Sequence, residues 1–122
     1  MSKKENTHLT DVGAKSRNAT RGEWLKSRGF KNYAEYLRSD LWASIRERVF
    51  SLKGRSCVGC RKFATVVHHR RYDGMTMSGG DLRGLVPMCM GCHKKIEFSG
   101  KRKNSLSKAN NRLKKLKKQK LN

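Results

Sequence analysis

Two Cys-x-x-Cys pairs, Cys57/Cys60 and Cys89/Cys92, bracket an adjacent histidine pair, His68-His69, and His93 follows the last cysteine directly. Each Cys-x-x-Cys turn offers two thiolates that converge on one cation, and two such turns complete a tetrahedron. A zinc ion held by Cys57, Cys60, Cys89 and Cys92 would clamp two distant parts of the chain, so its binding energy would be part of the folding energy. The 28 residues between Cys60 and Cys89 exceed the roughly 15–20 of many zinc ribbons. They leave room for a strand, a loop and a returning strand. Free or redox-active thiols compete with this reading, as does His93 replacing Cys92 as fourth ligand.

Only 35% of the 122 residues are hydrophobic. That implies one domain with a thin core, for which a structural metal is a common staple. The formal charge is +21, from 30 Lys and Arg against 9 Asp and Glu. Self-repulsion of that size calls for a polyanion, and nucleic acid fits better than an anionic membrane surface or simple solubility. No apolar run is long enough to span a membrane, and the residues after Met1 lack the apolar stretch of a secretory signal. The expected setting is the cytoplasm, where reducing conditions favour metal binding over disulfides.

Along the chain, residues 1–19 are polar and aperiodic and read as a mobile basic arm. A helical scaffold is expected over 20–55. Thr20 and Glu23 have capping-box spacing, Gly29 can close that helix, and Asn32 followed by Glu35 is a second start. Ser39 caps the clearest helix, in which Leu41, Trp42, Ile45, Val49, Phe50 and Leu52 form a core stripe that ends at Gly54. The zinc-bound core is expected over 56–99. Thr65–His69 and Leu85–Met88 read as short strands, with Pro87 marking an edge, and 70–80 as a loop. A short helix is expected from Cys92 to about Phe98. Residues 98–122 carry ten Lys and Arg and no acid. Leu106, Ala109, Leu113 and Leu116 nonetheless recur at helical steps, with a cap near Asn104 or Ser105. This basic helix, over 100–122, could pack on the domain, lie along a phosphate backbone, or order only on binding.

Consecutive residues on a strand point to opposite faces, so His68 and His69 cannot easily chelate one ion. They can divide labour, one ring binding a metal and the other acting as a base, with His93 as a second ligand. The alternative is that these histidines are structural or exposed.

Val67-His68-His69-Arg70-Arg71-Tyr72, followed by Leu85-Val86-Pro87-Met88-Cys89-Met90-Gly91-Cys92-His93, resembles the HNH endonucleases of the four-cysteine zinc type. The segment Tyr36-Leu37-Arg38-Ser39-Asp40-Leu41-Trp42 resembles what precedes the motif in small bacterial and phage members. The likeness runs over roughly residues 33–98. It implies a small α+β fold with a ββα-metal core stapled by zinc, preceded by helices and followed by a basic helix. It implies that His69 is the general base, that His68 and His93 hold a divalent catalytic ion (magnesium, manganese, nickel or zinc), and that the four cysteines hold structural zinc. The family's central asparagine is missing, because Gly84 stands five residues before the third cysteine, and Asp81 is the nearest polar candidate.

The expected function is therefore metal-dependent hydrolysis of DNA phosphodiesters, by nicking or double-strand cleavage, on duplex DNA. Arg70, Arg71, Arg83, Lys101, Arg102, Lys103, Arg112, Lys114 and Lys115 are the candidate DNA contacts. The alternative is a zinc-stapled nucleic-acid-binding module with little or no turnover, which Gly84 favours. Either could serve a larger phage or mobile-element machine.

Overall fold

The computed structural model describes residues 20–121, so the arm expected over 1–19 lies outside the described residues. Among these the chain forms six helices and two small antiparallel sheets. Helices α1 (Arg21–Ser27), α2 (Tyr33–Leu37) and α3 (Asp40–Lys53) come first. Strand β1 (Val66–His69), a single helical turn α4 (Gly74–Met77) and strand β2 (Leu85–Met88) follow. Helix α5 (Met90–Glu97), the two-residue strands β3 (Phe98–Ser99) and β4 (Arg102–Lys103), and helix α6 (Leu106–Leu121) complete the order.

The early helices begin where their caps dictate. The Thr20 hydroxyl accepts from Glu23 N while the Glu23 carboxylate accepts from Thr20 N, a closed capping box. Asn32 and Ser39 cap α2 and α3 in the same way. Gly54, at φ +84°, ends α3 in a conformation that side chains rarely adopt.

Strands β1 and β2 pair antiparallel, with Val67 opposite Pro87 and His69 opposite Leu85. Alternation sorts their side chains onto two faces. Val67 and Leu85 join a core with Trp24, Tyr36, Trp42 and Val49 from the first three helices. Val66, Val86 and Met88 face a second core of Cys57, Cys92, Ile96, Ala109 and Leu113. The ribbon is thus a partition between α1–α3 and the α5–α6 pair.

Four expectations need correction. The stretch 70–80 is not loop throughout, because Asp73 caps one helical turn at Gly74–Met77, accepting from Thr76 N and Thr76 Oγ1. Leu41 and Leu52 do not belong to the core stripe; Leu52 is 72% exposed, since the buried face follows Trp42, Ile45 and Val49. Helix α5 starts at Met90 rather than Cys92, with the Cys89 sulfur as its N-cap. The segment after Phe98 is not simply a lead-in to the helix. It forms a tight hairpin through Gly100 and Lys101, with Gly100 at φ +63°, as a two-residue turn with glycine at its first position requires. The basic helix takes the first of its three expected fates: α6 packs on α5 and buries Ala109 and Leu113.

Replacing Leu113, 2% exposed, by alanine should cost about 2–5 kcal/mol. Leu52→Ala should stay within about 0.5 kcal/mol. Urea denaturation of both variants checks this, and equal costs would contradict the docking of α6.

Candidate metal and active site

The first cysteine turn forms before either strand begins. Arg61 N donates to Cys57 O and Cys57 N to Lys62 O, both at 2.8 Å, closing a turn in which Arg61 adopts φ +70°. Val58 N bonds Pro87 O at 3.0 Å and so ties the turn to β2. The four sulfurs of Cys57, Cys60, Cys89 and Cys92 lie within 4.8 Å of one another, and those of Cys60 and Cys89 are 3.5 Å apart. Thiolates about 2.3 Å from a tetrahedral ion would stand about 3.8 Å apart, so the cluster fits zinc. Backbone N–H groups already point at the sulfurs: Gly59 and Cys60 at Cys57 Sγ, Cys92 at Cys89 Sγ. Burial opposes ionisation of Cys57, but backbone hydrogen bonds around it prevail and bring its thiol down to about 6. Burial and the neighbouring thiols push Cys92 the other way. A cluster of this kind readily surrenders its protons to a cation. His93 lies outside it.

His68 and His69 point to opposite sides of β1. His69, 3% exposed, enters an aromatic box. Its ring stacks on Trp42 at 4.5 Å and on Tyr72 at 5.3 Å, and the Arg21 guanidinium lies over the rings of Tyr33 and Tyr72. Both ring nitrogens meet phenols: Nδ1 is 3.0 Å from Tyr33 Oη and Nε2 is 3.4 Å from Tyr36 Oη. Tyr36 spends its proton on Met77 O at 2.8 Å. It must therefore accept from His69 Nε2–H, which leaves the Nδ1 lone pair toward Tyr33. Burial, then the electrostatic influence of His68, Arg21 and His93, pushes the His69 imidazole down to about 3. The ring is neutral throughout the physiological range.

His68 faces a different set. Together with His93 and Glu97 it forms a second metal-competent group, all ligand atoms within 4.8 Å. His68 Nδ1 is 3.4 Å and His93 Nε2 3.8 Å from the same Glu97 oxygen. Asn110 on α6 determines the state of His68. Its Nδ2 donates to Arg70 O at 3.0 Å, so Oδ1 is the atom 3.2 Å from His68 Nε2. Nε2 must then donate, and Nδ1 faces a carboxylate oxygen, as a lone pair open to a cation in the neutral ring or as a hydrogen-bond donor when it carries a proton. Two acceptors at that distance repel unless a cation or proton lies between them. Glu97 also ends α5, where the helix dipole disfavours negative charge. The hydrogen bond to His68 holds its carboxyl below the usual range against the opposing effect of burial, aided by His93 and Lys103. An 8%-exposed carboxylate facing two imidazoles is a donor set for a divalent cation.

Both histidine faces line one pocket of about 520 Å³, which also contains Tyr33, Trp42, Tyr72, His93, Glu97 and Lys103. Glu97 is absent from the sequence-level candidates, although His93-x-x-x-Glu97 has the four-residue spacing that places two side chains on one helical face. Asn110, Tyr33 and Tyr36 carry no local signal, because only tertiary structure brings them near.

The candidate DNA contacts disperse. Arg71 bonds Asp73 and Asp81, and Arg83 bonds Asp81 through both its guanidinium and its backbone N–H. Those bonds hold the Asp81 carboxyl well below the usual carboxylate range. A side chain at position 84 would meet Arg71, whose Nε is 3.3 Å from where a Cβ would stand. The Asp81–Arg71–Arg83 cluster thus braces the loop beside Gly84. Arg70 is half-buried, and Arg112 donates to Lys95 O and Phe98 O. Lys101 and Arg102 are exposed on the hairpin, Lys103 stands 3.9 Å from Glu97, and Lys114 and Lys115 are exposed on α6. No described helix is long and apolar enough to cross a membrane. Compared with known proteins, the chain matches no family model, no curated protein and no solved structure.

Metal analysis of the folded, reduced chain should find one tightly held zinc, and chelation should unfold the second core, seen as loss of helical circular dichroism. A folded chain that retains no zinc would overturn the four-sulfur site.

Proposed function

We propose that the chain is a metal-dependent DNA endonuclease of the HNH class with a ββα-metal core. The observation that carries this reading is the His68–His93–Glu97 cluster. One ligand comes from a strand and two from the helix that follows the hairpin, leaving room for water and phosphate. A divalent ion bound there would stabilise charge on the scissile phosphate and its leaving oxygen. Asn110 holds His68 with its Nδ1 lone pair turned to that position, and Glu97 supplies the negative charge. His69, in the same pocket, is the base that takes a proton from the attacking water, and burial keeps it unprotonated and ready to accept. The strongly positive chain would hold DNA largely through its phosphates, with affinity that falls steeply with salt.

A second reading, a nucleic-acid-binding module with little or no turnover, has its own observation. The only lone pair of His69 is covered by the Tyr33 hydroxyl, and a base pushed down to about 3 is far from the near-neutral value that suits proton transfer. Gly84 points the same way.

Supercoiled-plasmid cleavage with magnesium, manganese or nickel separates the two. The nuclease reading expects nicking that falls at least 100-fold, on the order of a lost general base, in His69→Ala. Cutting that survives the substitution removes His69 from the base role, and no cutting in any metal favours the binding module. In a separate titration, Asn110→Ala in zinc-loaded protein should bind manganese or nickel about 10- to 100-fold more weakly than the parent chain. An unchanged affinity would dissociate Asn110 from the cluster.

A further inference from the structure

A second cavity, of about 620 Å³, opens between the end of α5, the β3–β4 hairpin and α6. Its size falls in the roughly 300–1,000 Å³ range of small-ligand pockets. Lys95, Arg112 and Lys115 line it, with Phe98 and the apolar surfaces of Ile96 and Leu116. No carboxylate does, although Glu97 lies between two lining residues in sequence, because α5 turns Glu97 to the other side. Phe98 lines both cavities and is 41% exposed. It is therefore the shared wall between the histidine pocket and this one.

The cations are held differently. Arg112 Nη1 donates to Lys95 O at 2.8 Å and Phe98 O at 3.0 Å, which immobilises the guanidinium at the cavity. Its Nε and Nη2 have no acceptor among the described residues. Lys95 and Lys115 are exposed. The backbone of Phe98 is fixed, since this residue ends α5 and pairs with Lys103 across the hairpin. A half-exposed ring beside a hydrogen-bonded guanidinium and two exposed ammonium groups is the equipment for a base and a phosphate together.

We propose that this cavity receives an unpaired nucleotide of the DNA strand whose phosphodiester occupies the histidine pocket. The base stacks on Phe98, and the phosphate meets Arg112 and Lys115. The proposal rests on the nuclease reading and sharpens it: the substrate carries an unpaired nucleotide next to the bond that is cut, in a single strand, a flap or a frayed end. A fully paired duplex would have to unstack a base to fill the cavity, at a cost of a few kcal/mol.

Fluorescence anisotropy with labelled single-stranded and duplex oligonucleotides tests this on the full zinc-loaded chain. Phe98→Ala should weaken single-strand binding about tenfold, as the loss of one stacked base does, and leave duplex binding within twofold. Lys115→Gln should lower the slope of log affinity against log salt by about 0.7 for the single strand. Phe63→Ala, which removes an exposed aromatic that lines neither cavity, should change neither. Tryptophan fluorescence of Phe98→Trp should be quenched by the single strand beyond any change that the parent chain shows from Trp24 and from Trp42, which lines the histidine pocket. Single-strand affinity unchanged in a folded Phe98→Ala, or an unquenched Phe98→Trp if the alanine variant does not fold, overturns the nucleotide cavity and leaves the nuclease reading intact. Quenching by AMP as tight as by the oligonucleotide overturns it in favour of a mononucleotide site. Failure of the parent chain to bind any nucleic acid removes both readings.

Discussion

The convergence of four sulfurs is the constraint on which the rest of this structure depends. The first cysteine pair ends the scaffold and begins the ribbon; the second ends the ribbon and caps α5. Cys57 and Cys92 are also core residues, packed with Met88, Ile96 and Leu113. In a chain with so few apolar side chains, a metal bound by these sulfurs would substitute for buried area in holding that second core together. The orientation of α5 follows from it, and with it the positions of His93 and Glu97.

The short ribbon then does what a longer sheet would do elsewhere. Because its faces alternate, two adjacent histidines live in unlike surroundings less than one residue's reach apart. His69 sits among aromatic rings in the first core, where burial keeps it neutral. His68 sits among polar groups on the second side, tied to Asn110 and Glu97. A one-residue slip in register would exchange the two environments. Four cross-strand pairs, extended by Thr65 N to Met88 O and Arg70 N to Gly84 O, oppose such a slip.

What the sequence revealed was local. Thr20, Asn32, Ser39 and Gly54 each end or begin an element through bonds made within four residues, so their chemistry is readable from spacing. The cysteine pairs are readable for the same reason, each being a self-contained turn. The hairpin at Gly100 and Lys101 had a signal, glycine at the first of two turn positions, but the surrounding lysines read more readily as a tail. Glu97 required a helical face to be projected onto the metal ligands. Asn110 had no local signal, since its partner lies 42 residues away. The arginines expected at phosphate were equally opaque, because a sequence shows that Arg71 and Arg83 are cations but not that Asp81 engages them both.

Asn110 also sets an order of assembly. It lies on α6, C-terminal to every group it organises, and reaches back to His68 and to the carbonyl of Arg70. The scaffold, the ribbon and all four cysteines precede α6 in the chain. The imidazole of His68 is therefore left without its orienting amide until α6 has docked.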